Sequence, residues 1–168
     1  MKIRRSGLLL CLSLMLLLCG CTRQLQKKDC VNPIEFYYCC ENASFDSRTG
    51  GFTPELRDLK DRQIPIPEIL KAYFAGPLTP ALSSPFPPGT ACENVTLKGS
   101  VLTLKLNEVY GTLSGVHRTQ ADACLTLTLT QIHGVNAIRI TTSSNTPGNS
   151  EKRIFRASDF LLADRTAE

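Results

Sequence analysis

The sequence predicts an α+β domain built on a small mixed or antiparallel sheet. Three observations carry that class. Two runs, CENVTLKG and SVLTLKLNEVY, alternate apolar and polar residues on either side of Gly99-Ser100, and IEFYYCCE and AIRITTS add β-branched and aromatic segments towards either end of the chain. Between these, Ile69, Leu70, Tyr73 and Phe74 fall on one face at helical spacing.

The first element is not part of the fold. Lys2, Arg4 and Arg5 precede the apolar run Leu8 to Leu18, which has the length of a secretory h-region. A spanning helix needs about 20 apolar residues, so the run is short for a permanent anchor. It ends in LLLCGC, with Leu18 three residues before Cys21 and Gly20 immediately before it, and this resembles the lipobox of bacterial lipoproteins. The expectation is a signal peptide over 1–20, cleavage before Cys21, and acylation of Cys21 by fatty chains such as palmitate. Two chains hold a protein stably on a bilayer. An ordinary secretory peptide or an uncleaved anchor are the alternatives. TRQLQKKDCVN then forms a polar tether, and residues 21–33 connect the bilayer to one domain over 34–165.

Strand-forming residues open that domain at Ile34 to Glu41. ENASFDSRTGG is turn punctuation, and FTPELRDLK returns as a shorter strand whose Pro54 argues for an edge position. Pro67 suits a first helical turn, where its missing N–H is no loss, and Gly76-Pro77 stops the helix that follows. Leu78 to Thr90 is Pro-rich yet carries Leu82 and Phe86, so it is expected as an ordered loop packed on the body. The hairpin comes next, read as strand as far as Tyr110, with Leu102, Leu104 and Leu106 on its buried face and Thr103 and Lys105 on its wet one.

Residues 116–132 conflict. CLTLTLTQI alternates like a strand, whereas Ala121, Leu125, Thr128, Leu129 and Ile132 form a helical stripe ending at a C-cap candidate, Gly134. Local pattern leaves both open. Ala137 to Ser143 is a strand, SNTPGNSEK a polar loop, and RIFRASDFLLADRTAE a last short strand with a frayed tail.

Composition excludes several functions. Without the basic residues of the first 20 positions, the formal charge falls from +4 to about +1, which recruits no nucleic acid. Trp is absent, so no carbohydrate-stacking platform is advertised. Neither GxGxxG nor GxxxxGK[ST] occurs, and no cofactor motif is visible. Cys30, Cys39, Cys40, Cys92 and Cys124 remain after the signal and Cys21, with no CxxC pair and no His at zinc-ligand spacing. They are expected as thiols packed as small hydrophobes, or as one disulfide from Cys92 to Cys124 or from Cys30 to Cys39. Cys39 and Cys40 are adjacent in a strand and must face opposite sides. Catalytic candidates are thin. His117 and His133 stand at opposite ends of the ambiguous segment, too far apart to cooperate if it is a helix; Ser114 lies in LSGV, which is not a GxSxG elbow; and Glu93 and Glu108 are expected to meet across the hairpin surface.

LKAYFAGPL, SPFPPGT, the hairpin to LKLNEVY, LSGVHRTQADACLTLTLTQIHGVNAIRI and FTPELRDLK together resemble the GerMN domain of sporulation and spore-germination lipoproteins. The resemblance implies a helix over roughly His117 to Ile132, and hence two helices packed on one face of the sheet. It also implies kinship with the ring-building-motif domains of the assembly that spans the membranes around a developing spore, which act as interaction modules. The family contains no catalytic set. The better-known spore proteins carry the domain in tandem, whereas this chain has length for one.

The expected function is therefore a non-catalytic envelope lipoprotein on the extracytoplasmic face of a cell membrane, tethered through Cys21. Its domain would dock an envelope protein or a copy of itself, for example by adding a strand to Phe52–Leu59. The alternative is a cell-wall or small-ligand-binding lipoprotein using the loops Phe45–Phe52 and Pro77–Thr90.

Overall fold

A computed structural model describes residues 27–40, 51–61, 63–143 and 153–160. The signal, Cys21, most of the first hairpin loop and the segment SNTPGNSEK lie outside these residues.

β1 (Pro33–Cys40) buries Ile34, Phe36 and Tyr38 by simple alternation. It pairs antiparallel with β2 (Phe52–Asp58), as the sequence predicts. Pro65 precedes α1 (Ile66–Phe74), and Pro67 sits in its first turn. The chain leaves α1 through Gly76, whose φ of 94° only glycine adopts without strain. The Pro-rich segment is ordered: Leu82 and Phe86 are buried, and β3 (Leu82–Ser83) adds a short third strand beside the end of β1.

β4 (Cys92–Lys98) and β5 (Val101–Leu106) form the expected hairpin. Gly99 takes a φ of 59° at the first central position of the two-residue turn, the placement type II′ hairpins use. The second strand stops earlier than expected. Asn107 accepts the Ala91 N–H at 3.2 Å and donates to the Gly89 carbonyl at 2.8 Å, turning the chain into α2 (Glu108–Gly111). That turn sends Tyr110 into the core instead of continuing the ladder.

α3 (Gly115–Leu129) settles the ambiguous segment as a helix. Every residue from Ala121 to Leu129 is buried. A helix enclosed on all sides has no wet stripe to display a 3.6 period, which is why its Leu-Thr alternation imitates a strand. β6 (Ala137–Thr142) then runs parallel to β5, and β7 (Ile154–Phe155) closes the edge antiparallel to β6.

The strands form two sheets, not one. The first has the order β2-β1-β3 and the second β4-β5-β6-β7. The flank of β1 away from β2 is taken up by the α3 side and by the short β3. One core joins the sheets through Phe36, Tyr73, Leu104, Tyr110, Leu125 and Ile140. Tyr73 lies at its centre, with ring centroids of Phe36 at 4.9 Å, Tyr38 at 5.2 Å and Phe86 at 5.0 Å.

Candidate functional site

Among the described residues, three of the longer strand edges differ in how far they are open. The flank of β1 that faces α3 is closed by side chains. The Glu35 N–H donates to Gln131 Oε1 at 3.1 Å, and Gln131 Nε2 donates back to the Glu35 carbonyl at 2.7 Å. Next along, the Tyr37 N–H donates to Thr128 Oγ1 at 3.0 Å, and the Tyr37 carbonyl accepts the Tyr73 hydroxyl. Side chains of α3, of the turn after it and of α1 thus satisfy the backbone groups that an open edge would present.

β2 is the outer strand of the first sheet, in agreement with the reading of Pro54. Since Glu35 and Tyr37 turn their N–H groups away from β2, the bonded pairs are Ile34 with Arg57, Phe36 with Glu55 and Tyr38 with Thr53. Pro54 therefore falls where an outward donor would stand, and it has none. The mid-strand gap blunts Phe52–Leu59, the edge favoured from sequence.

β4 offers the more complete edge. Its burial alternates hardly at all, and Leu97 remains 45% exposed. Lys98 and Val101 flank a two-residue turn and so form a bonded pair; by alternation Thr96 and Asn94 also bond across to β5. The N–H groups of Val95 and Leu97 consequently point to the open side. No proline interrupts them, and among the described residues no strand covers them. At the start of β4 the chain is braced: Glu93 meets Lys105 at 3.1 Å and accepts the Ser143 hydroxyl at 2.5 Å. That hydroxyl, then Lys105, hold the Glu93 carboxyl below the usual range. Glu108 lies in α2, so the two glutamates do not meet across the hairpin.

Beside this edge, α1 and the Thr90–Cys92 stretch enclose a groove of about 470 Å³. Leu70 and Phe74 supply its apolar wall, Glu68 and Lys71 its charges, and Cys92 its floor. The Cys92 thiol is turned to the carbonyls of Asn94 at 3.2 Å and Lys105 at 3.6 Å, and burial pushes its pKa up. Among the described residues of the loops expected to hold a ligand, only Thr90 lines this groove.

The other sequence candidates scatter. His117 is exposed in the first turn of α3, His133 is exposed beyond its end, and Ser114 is exposed just before it. Among the described residues no group of His, Cys, Asp and Glu is placed to hold a metal ion. Cys30, Cys39, Cys40, Cys92 and Cys124 are all thiols. Cys40 faces Thr53 Oγ1 at 2.9 Å, while the neighbouring Cys39 interacts with Cys124, a pair that spacing did not single out. Among the described residues no helix is long and apolar enough to cross a membrane.

Sequence reasoning also missed two buried polar clusters, in which residues distant in the chain meet. Asp122 accepts the Tyr110 hydroxyl at 2.7 Å and Arg118 Nε at 3.2 Å, with the Arg118 guanidinium 4.6 Å from the Tyr110 ring centre. Burial raises the Asp122 pKa, against the opposing hydrogen bond and charge of those two partners. In the second cluster Glu55 accepts Arg57 and the N–H groups of Leu78 and Thr79. Neither cluster lines the groove or the open edge.

The family profile described as Germane, sporulation and spore germination, matches residues 36–145, well over half of the chain. The chain belongs to the Germane family. Its fold is similar to the tandem GerMN domains of the sporulation protein GerM from Bacillus subtilis, with 17% identity and a TM-score of 0.59 over 80% of this chain. The chain spans about half of that protein's length, 49%. A structure of the first GerMN domain of the same protein matches with 16% identity and a TM-score of 0.53, over 67% of this chain and 83% of that one. Among curated proteins none matches the sequence. The Germane match covers α3, β4 and β5 together, so the open edge and its supports belong to the family domain itself.

Proposed function

We propose that this Germane domain is a non-catalytic docking module, held at the extracytoplasmic face of a membrane through acylated Cys21, and that β4 is its docking edge. The supporting observation is the run of outward donors at Val95 and Leu97 beside an exposed leucine, with the other long edges capped by α3 or interrupted by Pro54. A partner strand laid along β4 extends the second sheet, gaining main-chain hydrogen bonds while Leu97 supplies an apolar contact. The occupant is an extended segment of an envelope protein or the β4 edge of a second copy. Membership in a family described by sporulation and spore germination sets the cellular setting of the proposal.

The test is affinity capture of the full chain from detergent-solubilised membranes. An envelope protein or a second copy recovered in stoichiometric amount, and lost when β4 is altered, supports docking. A monomer that brings down nothing dependent on β4 contradicts it.

The groove between α1 and β4 favours one second reading, binding of a small cell-wall fragment. Its volume lies within the range of small-molecule sites. A thermal-shift screen with muropeptides separates the two, because a ligand that binds only the folded state raises the midpoint with concentration.

A further inference from the structure

The pairing of β1 with α3 brings two thiols together. Glu35 meets Gln131 and Tyr37 meets Thr128, so the strand and the helix run past one another in a fixed register. Two residues further along the strand and one turn back along the helix, the same register sets Cys39 against Cys124, close enough for each thiol to shift the titration of the other. The two differ in access. Cys124 is 0% exposed, enclosed by the core, whereas Cys39 is only half-buried.

We propose that Cys39 and Cys124 are a disulfide-forming pair, oxidised by exchange with an external disulfide such as oxidised glutathione or the disulfide form of a thiol oxidoreductase. The Cys39 thiolate attacks one sulfur of that disulfide, forms a mixed disulfide and expels the other sulfur as a thiolate. Cys124 then gives up its proton and attacks the Cys39 sulfur, forming the internal S–S bond and releasing the second external thiol. Two protein thiols are oxidised by two electrons, one external disulfide is reduced to two thiols, and the two protons pass to those thiols.

Electrostatics favours this order of events. The neighbouring Cys124 thiol holds the Cys39 thiol below its ordinary range despite burial, while burial and the Cys39 thiol push Cys124 well above it. An accessible thiol with more thiolate character is the better attacking group. The other cysteines are turned elsewhere: Cys40 to Thr53 on the opposite side of β1, and Cys92 to carbonyls of the second sheet. Closing the chain between positions 39 and 124 also ties α3 permanently to the strand edge it covers, and a loop of that length restricts the unfolded chain strongly.

The experiment treats the reduced full chain with oxidised glutathione and maps it by mass spectrometry after digestion without reductant. The expected product is a peptide linking Cys39 to Cys124, lacking two hydrogens, formed equally in Cys40→Ser and Cys92→Ser proteins. The linked protein should unfold at a higher temperature, with an unfolding constant lowered on the order of 100-fold. A Cys39 that stays reduced, stops at the glutathione adduct, or links to Cys30, Cys40 or Cys92 overturns the assignment. Because the unsubstituted chain gives the primary result, the outcome does not depend on any variant folding.

Discussion

Arg57 and Glu55 stand two residues apart on one face of β2, with Arg57 Nε 2.7 Å from Glu55 Oε1, and together they fasten both sides of the turn that ends α1. Arg57 donates to the carbonyls of Ala72 at 3.1 Å and Gly76 at 2.6 Å, satisfying acceptors that the helix end leaves open. Glu55 accepts the N–H groups of Leu78 at 2.9 Å and Thr79 at 2.7 Å on the far side of Pro77. The position of α1, and with it one wall of the groove, depends on this pair.

Arg57→Ala should destabilise the domain by about 3 kcal/mol, since it strands a buried carboxylate and uncaps the helix. Arg57→Lys keeps the charge without the planar fork and should still lose more than about 1 kcal/mol. Urea unfolding measures both. A loss below 1 kcal/mol for the alanine protein would mean the turn is held by something else.

Thr128→Val tests the covered edge of β1. It preserves shape while removing the acceptor of the Tyr37 N–H, and should cost about 1–3 kcal/mol. The amide of Tyr37 should then exchange with deuterium faster than that of Phe36, which bonds within the sheet. Equal protection of the two amides in the variant would show that α3 does not close this edge.

Acid stability separates two carboxyls of opposite sign. Burial works to raise the Glu55 pKa, but hydrogen bonds from Thr79, Arg57 and Leu78 outweigh it and leave it below 4.5, so its stabilisation is lost as pH falls through the folded value. Asp122 is the reverse, raised above 3.8 mainly by burial. The folded state then holds its proton more tightly, and this contribution, full below pH 3.8, is lost as pH rises through the folded value. Asp122→Asn keeps an acceptor for Tyr110 and should remove that downward slope above pH 3.8. Identical pH profiles for both proteins would rule out a raised Asp122.

Cys21→Ser should move the protein from the membrane fraction to the soluble one and abolish incorporation of labelled palmitate. Continued membrane residence without label would replace lipidation by an uncleaved apolar anchor.

How much of this was legible follows from where each residue lies. Strands with one wet face declare themselves, so Ile34, Phe36 and Tyr38 or Leu102, Leu104 and Leu106 mark β1 and β5 without further help. Pro67 and Gly76-Pro77 bound α1 because their backbone limits are local. For α3 the period left helix and strand both open, since Thr126 and Thr128 are buried as fully as the leucines: Thr126 Oγ1 bonds the Asp122 carbonyl at 2.7 Å, and Thr128 serves the strand edge. The early end of β5 depends on Asn107 reaching back to Gly89, and the meeting of Cys39 with Cys124 on the register of a strand against a helix. Neither leaves a trace in spacing. The gap in the β2 edge was hidden for a related reason, because Pro54 identifies an outer strand but only the pairing register shows that it removes an outward donor.

The most direct measurement of the docking proposal compares Leu97→Pro with Leu97→Asn in capture from solubilised membranes. Both remove the exposed leucine, but only proline removes the outward N–H, and at that position the ladder to β5 is spared. The proposal predicts that Leu97→Pro loses the partner or second copy at unchanged folded content, while Leu97→Asn retains a measurable share. Equal capture by the unsubstituted, Asn and Pro proteins would contradict docking along β4.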